Sequence, residues 1–364
     1  MDAVPPPTPE SLAQRPEWWA RHAPAVLLVA LAITIPELLT GSTPVFNLVN
    51  PIAVLGLLGL YGAGVLLIRE AAIRWQKGWG TILALGVAYG IVEEGIAVKT
   101  FFNTNSHVVG YLGTFGHWAG VNWVWAVELG LFHAIFSIAL PILIVGLAYP
   151  ELRGSSFVSN SGLRWLVAAF TVTVAFMAVA FTPQAFPGVP VYLATAGAVA
   201  GFVLLGRWLR ADALRPATRP PRFGPRGMFL LGTGFTFAFF GVAWPLPYVL
   251  PSPVAVIVVF LALVAGLAIA ARAGLGTLVL PSNETAFAGG LVVFLFVLSA
   301  VMALGGDFGA PVVAALLATL LVVIYRARRA EEGRGALGRG APEPVTPGNR
   351  DVPVPPGASG PPGW

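Results

Sequence analysis

The sequence predicts an all-α fold, a polytopic bundle of about ten transmembrane helices. Of the 364 residues, 57% are hydrophobic and only 10% are charged, whereas a soluble domain carries roughly 25% charged residues. The mean hydropathy is +0.80. A chain with so few charges cannot cover a surface that faces water. A soluble fold is therefore excluded, and the lipid bilayer is the expected partner.

Apolar stretches that could cross a hydrocarbon core of about 30 Å, which takes ~20 helical residues, recur along the whole chain. The fourth stretch is long enough to tilt or to begin among the lipid headgroups. In order, the stretches are residues 24–41, 48–68, 79–98, 121–149, 162–182, 189–208, 227–249, 252–271, 284–304 and 308–325.

The basic residues indicate how these spans are oriented. All but one of the 21 basic residues fall in alternate connections or in the two ends, as the positive-inside rule requires, so both termini are predicted to be cytoplasmic. Lys99 is the exception. The net charge of +5 thus reflects membrane orientation, and no nucleic-acid partner is expected. The excess of Arg over Lys is typical of a GC-rich genome, so we expect the cytoplasmic (plasma) membrane of a bacterium.

These boundaries divide the chain into five segments. Residues 1–22 are a cytoplasmic N-terminal segment, 23–208 a six-span part, 209–226 a basic cytoplasmic loop, 227–325 a four-span part and 326–364 a Pro/Gly-rich cytoplasmic tail. No A-x-A cleavage site follows the first span, which predicts an uncleaved anchor. The tail lacks the apolar content needed to fold, so it is predicted to be disordered.

Ionisable residues inside the spans are confined to the first four, and they are candidates for function because a charge in lipid costs a few kcal/mol. At 1.5 Å per residue, these residues fall between mid-depth and the outer surface. They could therefore line one cavity that opens outward, with Lys99 and Ser137 beside it. The five residues are Glu37, Glu93, Glu94, Glu128 and His133.

The adjacent Glu93 and Glu94 are the strongest candidates for chemistry. Two carboxylates so close together in a low dielectric do not both ionise easily, which suits a proton carrier or a general acid and base. In the structural alternative, one of them pairs with Lys99 or with Trp or Asn donors. His133 and Ser137 lie four residues apart on one helical face, and His133 is either functional or a core histidine bonded to a backbone carbonyl.

Metal and cofactor chemistry has little support in the sequence. The chain has no Cys, so a metal would need His and carboxylate ligands. The outer loop between the third and fourth spans holds His107 and His117, which are candidate metal ligands or ordinary loop residues beside an aromatic belt. No Walker A, haem-attachment or HExxH motif is present, and we expect no cofactor.

The segment GIVEEGIAVK, residues 90–99, followed by His133, resembles the CAAX-protease and bacteriocin-processing family of intramembrane proteases. That family carries EExxxR on one span and FxxxH on a later one. The resemblance implies that Glu93 or Glu94 activates water and that His133 is the first family histidine. Val98 stands in place of the Arg and Leu129 in place of the Phe, and no His follows residue 133.

Three functions follow from these features. The first is a transporter or permease whose Glu/His site binds a proton or cation together with a small-molecule or ion substrate. The second is an intramembrane hydrolase that uses Glu93 or Glu94 as base and His133 as an orienting group. The third is a non-catalytic membrane scaffold.

The predicted orientation can be tested with reporter fusions after Arg226 and after Arg329. Both reporters should give a cytoplasmic signal, because both positions lie in basic segments. An external signal at either position would overturn the topology.

Overall fold

The computed structural model describes residues 17–106, 109–182, 185–214, 223–272 and 280–339. Apolar helices, named α1 to α10 in chain order, dominate this part of the chain. They are α1 (Glu17–Ile33, continued by a π-helical turn at Thr34–Leu38), α2 (Pro51–Arg74), α3 (Trp79–Ala97), α4 (Trp123–Ala148), α5 (Asn160–Ala180), α6 (Val189–Trp208), α7 (Pro225–Ala243), α8 (Pro253–Arg272), α9 (Pro281–Leu304) and α10 (Gly309–Arg339).

The helices match the predicted spans in position. In the described residues, eight helices are long and apolar enough to cross a membrane by length and composition. The apolar parts of the other two are shorter, at His22–Leu38 in α1 and Pro253–Ile269 in α8. The helical, multi-pass character of the fold is thus confirmed. The count of ten crossings and the cytoplasmic side of both termini stay predictions.

Contacts between the loops that join the helices show which helix ends lie on the same side of the bundle. At one end, the Lys77 ammonium donates to the Leu209 carbonyl at 2.7 Å, and Arg153 pairs with Glu284 at 2.6 Å. We call this the arginine-rich end; it comprises residues 75–78, 149–159 and 209–214 and the first turns of α7 and α9. The connections α1–α2, α3–α4, α5–α6, α7–α8 and α9–α10 lie at the opposite end, as alternating crossings require.

The disordered tail was predicted to begin at residue 326, and this boundary is wrong. Helix α10 continues to Arg339, so residues 326–339 are helical and not disordered. Glu332 explains this continuation, because its carboxylate accepts hydrogen bonds from the backbone N–H of Ser282 at 2.8 Å and from the Ser282 hydroxyl at 2.7 Å. These bonds cap the start of α9. Residues 340–364 lie outside the described residues, as do 1–16 and 215–222.

The connection between α3 and α4 is ordered by short elements. It contains the 3-10 turns Thr100–Phe102 and Gly110–Gly113, then a small hairpin of strands β1 (His117–Trp118) and β2 (Val121–Asn122). The strands pair antiparallel. The buried Asn122 amide donates to the carbonyls of Thr100 and Asn103 at 3.1 and 3.3 Å, which ties the hairpin to the end of α3.

Helices α3 and α4 approach closely through small residues. A Cβ on Gly86 would lie 2.7 Å from the Ala134 Cα, and a Cβ on Gly90 would lie 3.2 Å from the Gly130 Cα. Gly86 and Gly90 are four residues apart, as are Gly130 and Ala134, so each pair forms one small-residue face. This contact brings the third and fourth spans together as neighbours and sets the distance between their polar residues.

The outer layer of the bundle is apolar and exposed. Helix α5 contains no buried residue, and Gly206 is the one buried residue of α6. Large side chains such as Trp165, Phe176 and Leu193 are exposed on these two helices. In a membrane protein such a surface faces lipid, which has the same polarity as these side chains.

The close contact between α3 and α4 gives a test with a matched control. Gly86→Ala adds a methyl group against the α4 backbone and should lower the free energy of unfolding by about 1–3 kcal/mol. Gly201→Ala on α6, where no atom lies within 4 Å of an added Cβ, should be neutral or stabilising because Ala favours helix by up to ~1 kcal/mol. Unfolding in mixed micelles measures both. Equal effects would contradict the proposed contact.

Candidate functional site

In the described part of the chain, each of the helices α1 to α4 contains one π-helical segment. These segments are Thr34–Leu38, Leu58–Gly62, Val92–Ala97 and His133–Ala139. Together they carry the residues of one polar cluster: Glu37, Tyr61, Glu93, Glu94, His133 and Ser137. A π turn is rare and occurs frequently at functional sites. Four of them around one cluster therefore mark this region as the candidate site.

Proline and glycine account for the irregular turns. Pro141 lacks the N–H that would bond the Ser137 carbonyl, and Pro36 lies inside the first segment, so both weaken the regular helical ladder. Gly59 and Gly62 lie in the second segment and Gly95 in the third, where they lower the preference for a regular helix. Each irregular segment therefore has a local cause in the sequence.

The Tyr61 hydroxyl joins two carboxyl groups. It contacts Oε1 of Glu37 and Oε1 of Glu93 within hydrogen-bond distance. A tyrosine hydroxyl has one hydrogen and can donate only one bond, so the second contact requires a proton on one of the carboxyl groups. The second oxygen of Glu37 accepts a hydrogen bond from the Thr43 hydroxyl at 2.5 Å. Glu37, Tyr61 and Glu93 therefore form a hydrogen-bonded chain that can hold one additional proton.

The His133 ring lies between Glu93 and Glu94. Its Nε2 is 3.3 Å from Oε1 of Glu94, and its Nδ1 is 3.4 Å from Oε2 of Glu93. Nδ1 also lies 2.9 Å from the Ser137 hydroxyl. Nδ1 therefore has its hydrogen-bond partner in Ser137, and its 3.4 Å contact with Glu93 is an ion-pair distance only. A doubly protonated ring would be the cationic partner of both glutamates.

The second oxygen of Glu94 extends the network toward the α3–α4 connection. It accepts a hydrogen bond from the Thr100 hydroxyl, which in turn accepts a bond from Trp125 Nε1 at 3.0 Å. Thr100 and Thr43 are both partly exposed. The two branches of the cluster thus reach the end of the bundle opposite the arginine-rich end.

The charges of the cluster do not balance by themselves. Glu93 and His133 are only 3% and 2% exposed, and three carboxyl groups face one imidazole. In the described residues, no Arg or Lys forms an ion pair with Glu37, Glu93 or Glu94. An uncompensated buried charge is costly, so the remaining negative charge must be neutralised by protons or by a bound cation.

Two polar atoms in the cluster have unused hydrogen-bonding capacity. Oε2 of Glu93 and the Tyr89 hydroxyl are buried and have no hydrogen-bond partner among the described residues. The Tyr89 ring packs against His133 with centroids 5.7 Å apart and against Tyr61 at 5.9 Å. The Glu93 oxygen can accept and the Tyr89 hydroxyl can donate, so the two groups can bond to each other or to a shared water molecule.

Among the described residues, Glu93, Glu94 and His133 form the group that could hold a metal ion, and their ligand atoms lie within 4.8 Å of one another. Two ligands of one zinc-type ion are at most about 4.4 Å apart, because each bond is about 2.0–2.2 Å, so the three groups would have to approach. The two glutamates also face different nitrogens of the ring, whereas a bound ion uses one nitrogen of a histidine. The arrangement fits shared protons better than an ion.

Four predicted site residues lie apart from the cluster or outside the described residues. Lys99 is buried, and its ammonium donates to the Ala178 carbonyl; the pairing of Glu93 or Glu94 with Lys99 is therefore wrong. Burial lowers the pKa of Lys99.

Glu128 is buried, its Oε2 has no hydrogen-bond partner, and no described contact joins Glu128 to the cluster. His117 is exposed and lies 2.6 Å from Asn122, and His107 lies outside the described residues.

Sequence reasoning missed Tyr61 and Tyr89, which supply the hydroxyl groups of the cluster. Tyrosine is common in apolar stretches and is not ionised in lipid, so it gives no signal of charge. A buried Tyr hydroxyl usually finds a hydrogen-bond partner. The presence of a tyrosine in the second span and another in the third was therefore the one signal that could have indicated these contacts. Thr43 and Thr100 lie in connections, where threonine is ordinary.

Comparison with known proteins places the chain among membrane proteins. A family model described as an uncharacterized membrane protein family matches residues 26–272. The match extends from α1 to the end of α8 and includes the whole polar cluster. No curated protein and no solved structure matches the chain. The family description names no protease, so the match does not support the resemblance to the CAAX-protease family.

The role of Tyr61 can be tested by removing its hydroxyl group. Tyr61→Phe leaves Oε1 of Glu37 and Oε1 of Glu93 buried without a hydrogen-bond partner, so the free energy of unfolding should fall by about 1–3 kcal/mol. Tyr192→Phe is the matched control, since it removes one bond to the Ile96 carbonyl and should cost ~1 kcal/mol or less. If Tyr61→Phe costs no more than the control, Tyr61 does not bridge the carboxyl groups.

Proposed function

The chain belongs to an uncharacterized membrane protein family, and we propose that it is a proton-coupled transporter. The observation that carries the proposal is the Tyr61 hydroxyl between two carboxyl groups. This contact requires one more proton than fully ionised glutamates would supply. Glu37, Glu93, Glu94 and His133 are the groups that bind and release the coupling proton.

The hydrogen-bond chain gives that proton a route. A proton on Glu37 can pass to Glu93 when Glu37 donates to the Tyr61 oxygen and Tyr61 donates to Glu93, with no heavy atom moving far. Thr43 leads from Glu37 toward the surface, and Thr100 leads from Glu94. Both branches reach the same end of the bundle, which the sequence assigns to the outer side of the membrane.

Protonation also offers a way to couple the helices. The exchanging groups come from α1, α3 and α4, and the bridging hydroxyl comes from α2. When protons leave, like charges in a low dielectric repel each other strongly. This repulsion favours separation of α1 from α3 and α4, and rebinding a proton favours their closure. Alternating access of this kind is the general scheme of secondary transporters, and the solute would be a small molecule or an ion.

A second candidate function is hydrolysis inside the membrane. The contact that favours it is the 3.3 Å distance between Glu94 and His133, together with the Glu93 oxygen that has no hydrogen-bond partner. A water molecule at that oxygen would be activated by a carboxylate and oriented beside the imidazole. This mechanism needs Glu93, Glu94 and His133 but gives no role to Glu37.

Isosteric substitutions should separate proton exchange from structure. Glu37→Gln and Glu93→Gln keep size and hydrogen bonding but cannot exchange a proton, so both should abolish proton movement while stability is kept or rises. Glu151→Gln, in the connection at the arginine-rich end, is the control. Infrared titration of the purified protein should show a carboxylic-acid band that is lost in each site variant and kept in the control.

Transport is then measured in proteoliposomes that contain a pH dye and receive a panel of solutes. A transporter should move protons with at least one solute, and Glu37→Gln should abolish that movement. A hydrolase should instead cleave membrane peptides, lose cleavage with Glu94→Gln and retain it with Glu37→Gln. Absence of a titrating carboxyl band from both Glu37 and Glu93 would overturn the proton-coupled mechanism.

A further inference from the structure

A groove at the arginine-rich end is formed by residues 225–325, whereas the polar cluster is formed by residues 37–137. The proposed transport function does not use this groove. It has a volume of about 470 Å³, within the ~300–1,000 Å³ range of ligand pockets. Helices α7, α9 and α10 form its walls. The lining includes Arg226, Phe229, Leu230, Gly289, Val322 and Tyr325.

The walls of the groove are apolar and open to the side of the bundle. Phe229, Leu230 and Val322 are 41%, 66% and 48% exposed. Gly289 leaves space at the base, since a Cβ there would meet only the Phe229 ring at 3.7 Å. The Thr285 hydroxyl in the lining is already bonded to the Pro281 carbonyl at 2.7 Å. A largely apolar slot of this shape between membrane helices accepts a hydrocarbon chain.

The mouth of the groove carries unbalanced positive charge. Arg226 lies in the first turn of α7, and Arg326 is four residues after Val322 on the same face of α10. Both side chains are exposed. In the described residues, no carboxylate forms an ion pair with either arginine, because the neighbouring Glu284 and Glu332 are bonded to Arg153 and Ser282.

We propose that this groove binds one anionic glycerophospholipid. An acyl chain occupies the apolar slot, and the phosphate of the headgroup lies against Arg226 and Arg326. The positions of these groups match the ligand. Arg226 lies in the first turn of α7, and Arg326 follows Tyr325, which lines the groove together with Arg226, so both arginines lie at the mouth while the slot runs into the hydrocarbon region. Basic pockets between membrane helices on the cytoplasmic side are known to bind anionic headgroups.

The proposal is tested with the full-length protein in micelles by native mass spectrometry and thermal unfolding. Phosphatidylglycerol and phosphatidylcholine with identical acyl chains are the two probes. Phosphatidylglycerol should bind more tightly, and each of Arg226→Gln and Arg326→Gln should weaken its binding about fivefold. Arg164→Gln, at the start of α5, is the control and should leave binding unchanged.

The acyl-chain part of the proposal has its own variant. Gly289→Trp fills the slot and should abolish retention of both lipids, whereas Gly234→Trp on α7, where no atom lies within 4 Å of an added Cβ, should not. Equal binding of the two lipids would overturn the headgroup assignment. Unchanged lipid retention by Gly289→Trp would overturn the groove as the site. The arginine variants remain informative if Gly289→Trp fails to fold, because both arginines are exposed.

Discussion

The Tyr61 hydroxyl between Glu37 and Glu93 is the interaction on which the rest of the site depends. Carboxyl groups buried in a low dielectric repel each other when ionised, and a shared proton turns that repulsion into a hydrogen bond. The same need for compensation explains why His133 lies between Glu93 and Glu94. Removal of any one partner leaves a buried charge or an unsatisfied oxygen. The cluster is therefore maintained as a unit by four helices.

Local irregularity and close packing make this unit possible. The π-helical turns of α1 to α4 widen each helix where it carries a polar residue. Gly86 and Gly90 let α3 approach the α4 backbone so that Glu94 reaches His133. At the arginine-rich end, polar contacts connect the helix ends. Arg153 pairs with Glu284, and Glu332 accepts a hydrogen bond from the backbone N–H of Ser282. One end is thus held by ion pairs, while the cluster toward the other end carries the groups of the proposed proton site.

The polar cluster and the groove occupy different parts of the chain. The family match ends at residue 272, so it contains the complete cluster but not α9 and α10, which supply two walls of the groove. The proposed proton chemistry therefore rests on residues within the matched region, whereas the proposed lipid site depends partly on helices beyond it. The two proposals can fail independently, because no described residue is common to both.

The sequence by itself determined the class of protein, the positions of the helices and most of the acidic cluster. Apolar length and scarcity of charge decide membrane insertion, and Glu37, Glu93, Glu94 and His133 are conspicuous because each is costly in lipid. Only the tertiary structure decided which groups meet. Each π turn adds a residue and shifts the helical face by ~100°, so a regular period cannot assign the partners of Tyr61. The end of α10 was likewise decided by a distant contact, the bond between Glu332 and Ser282.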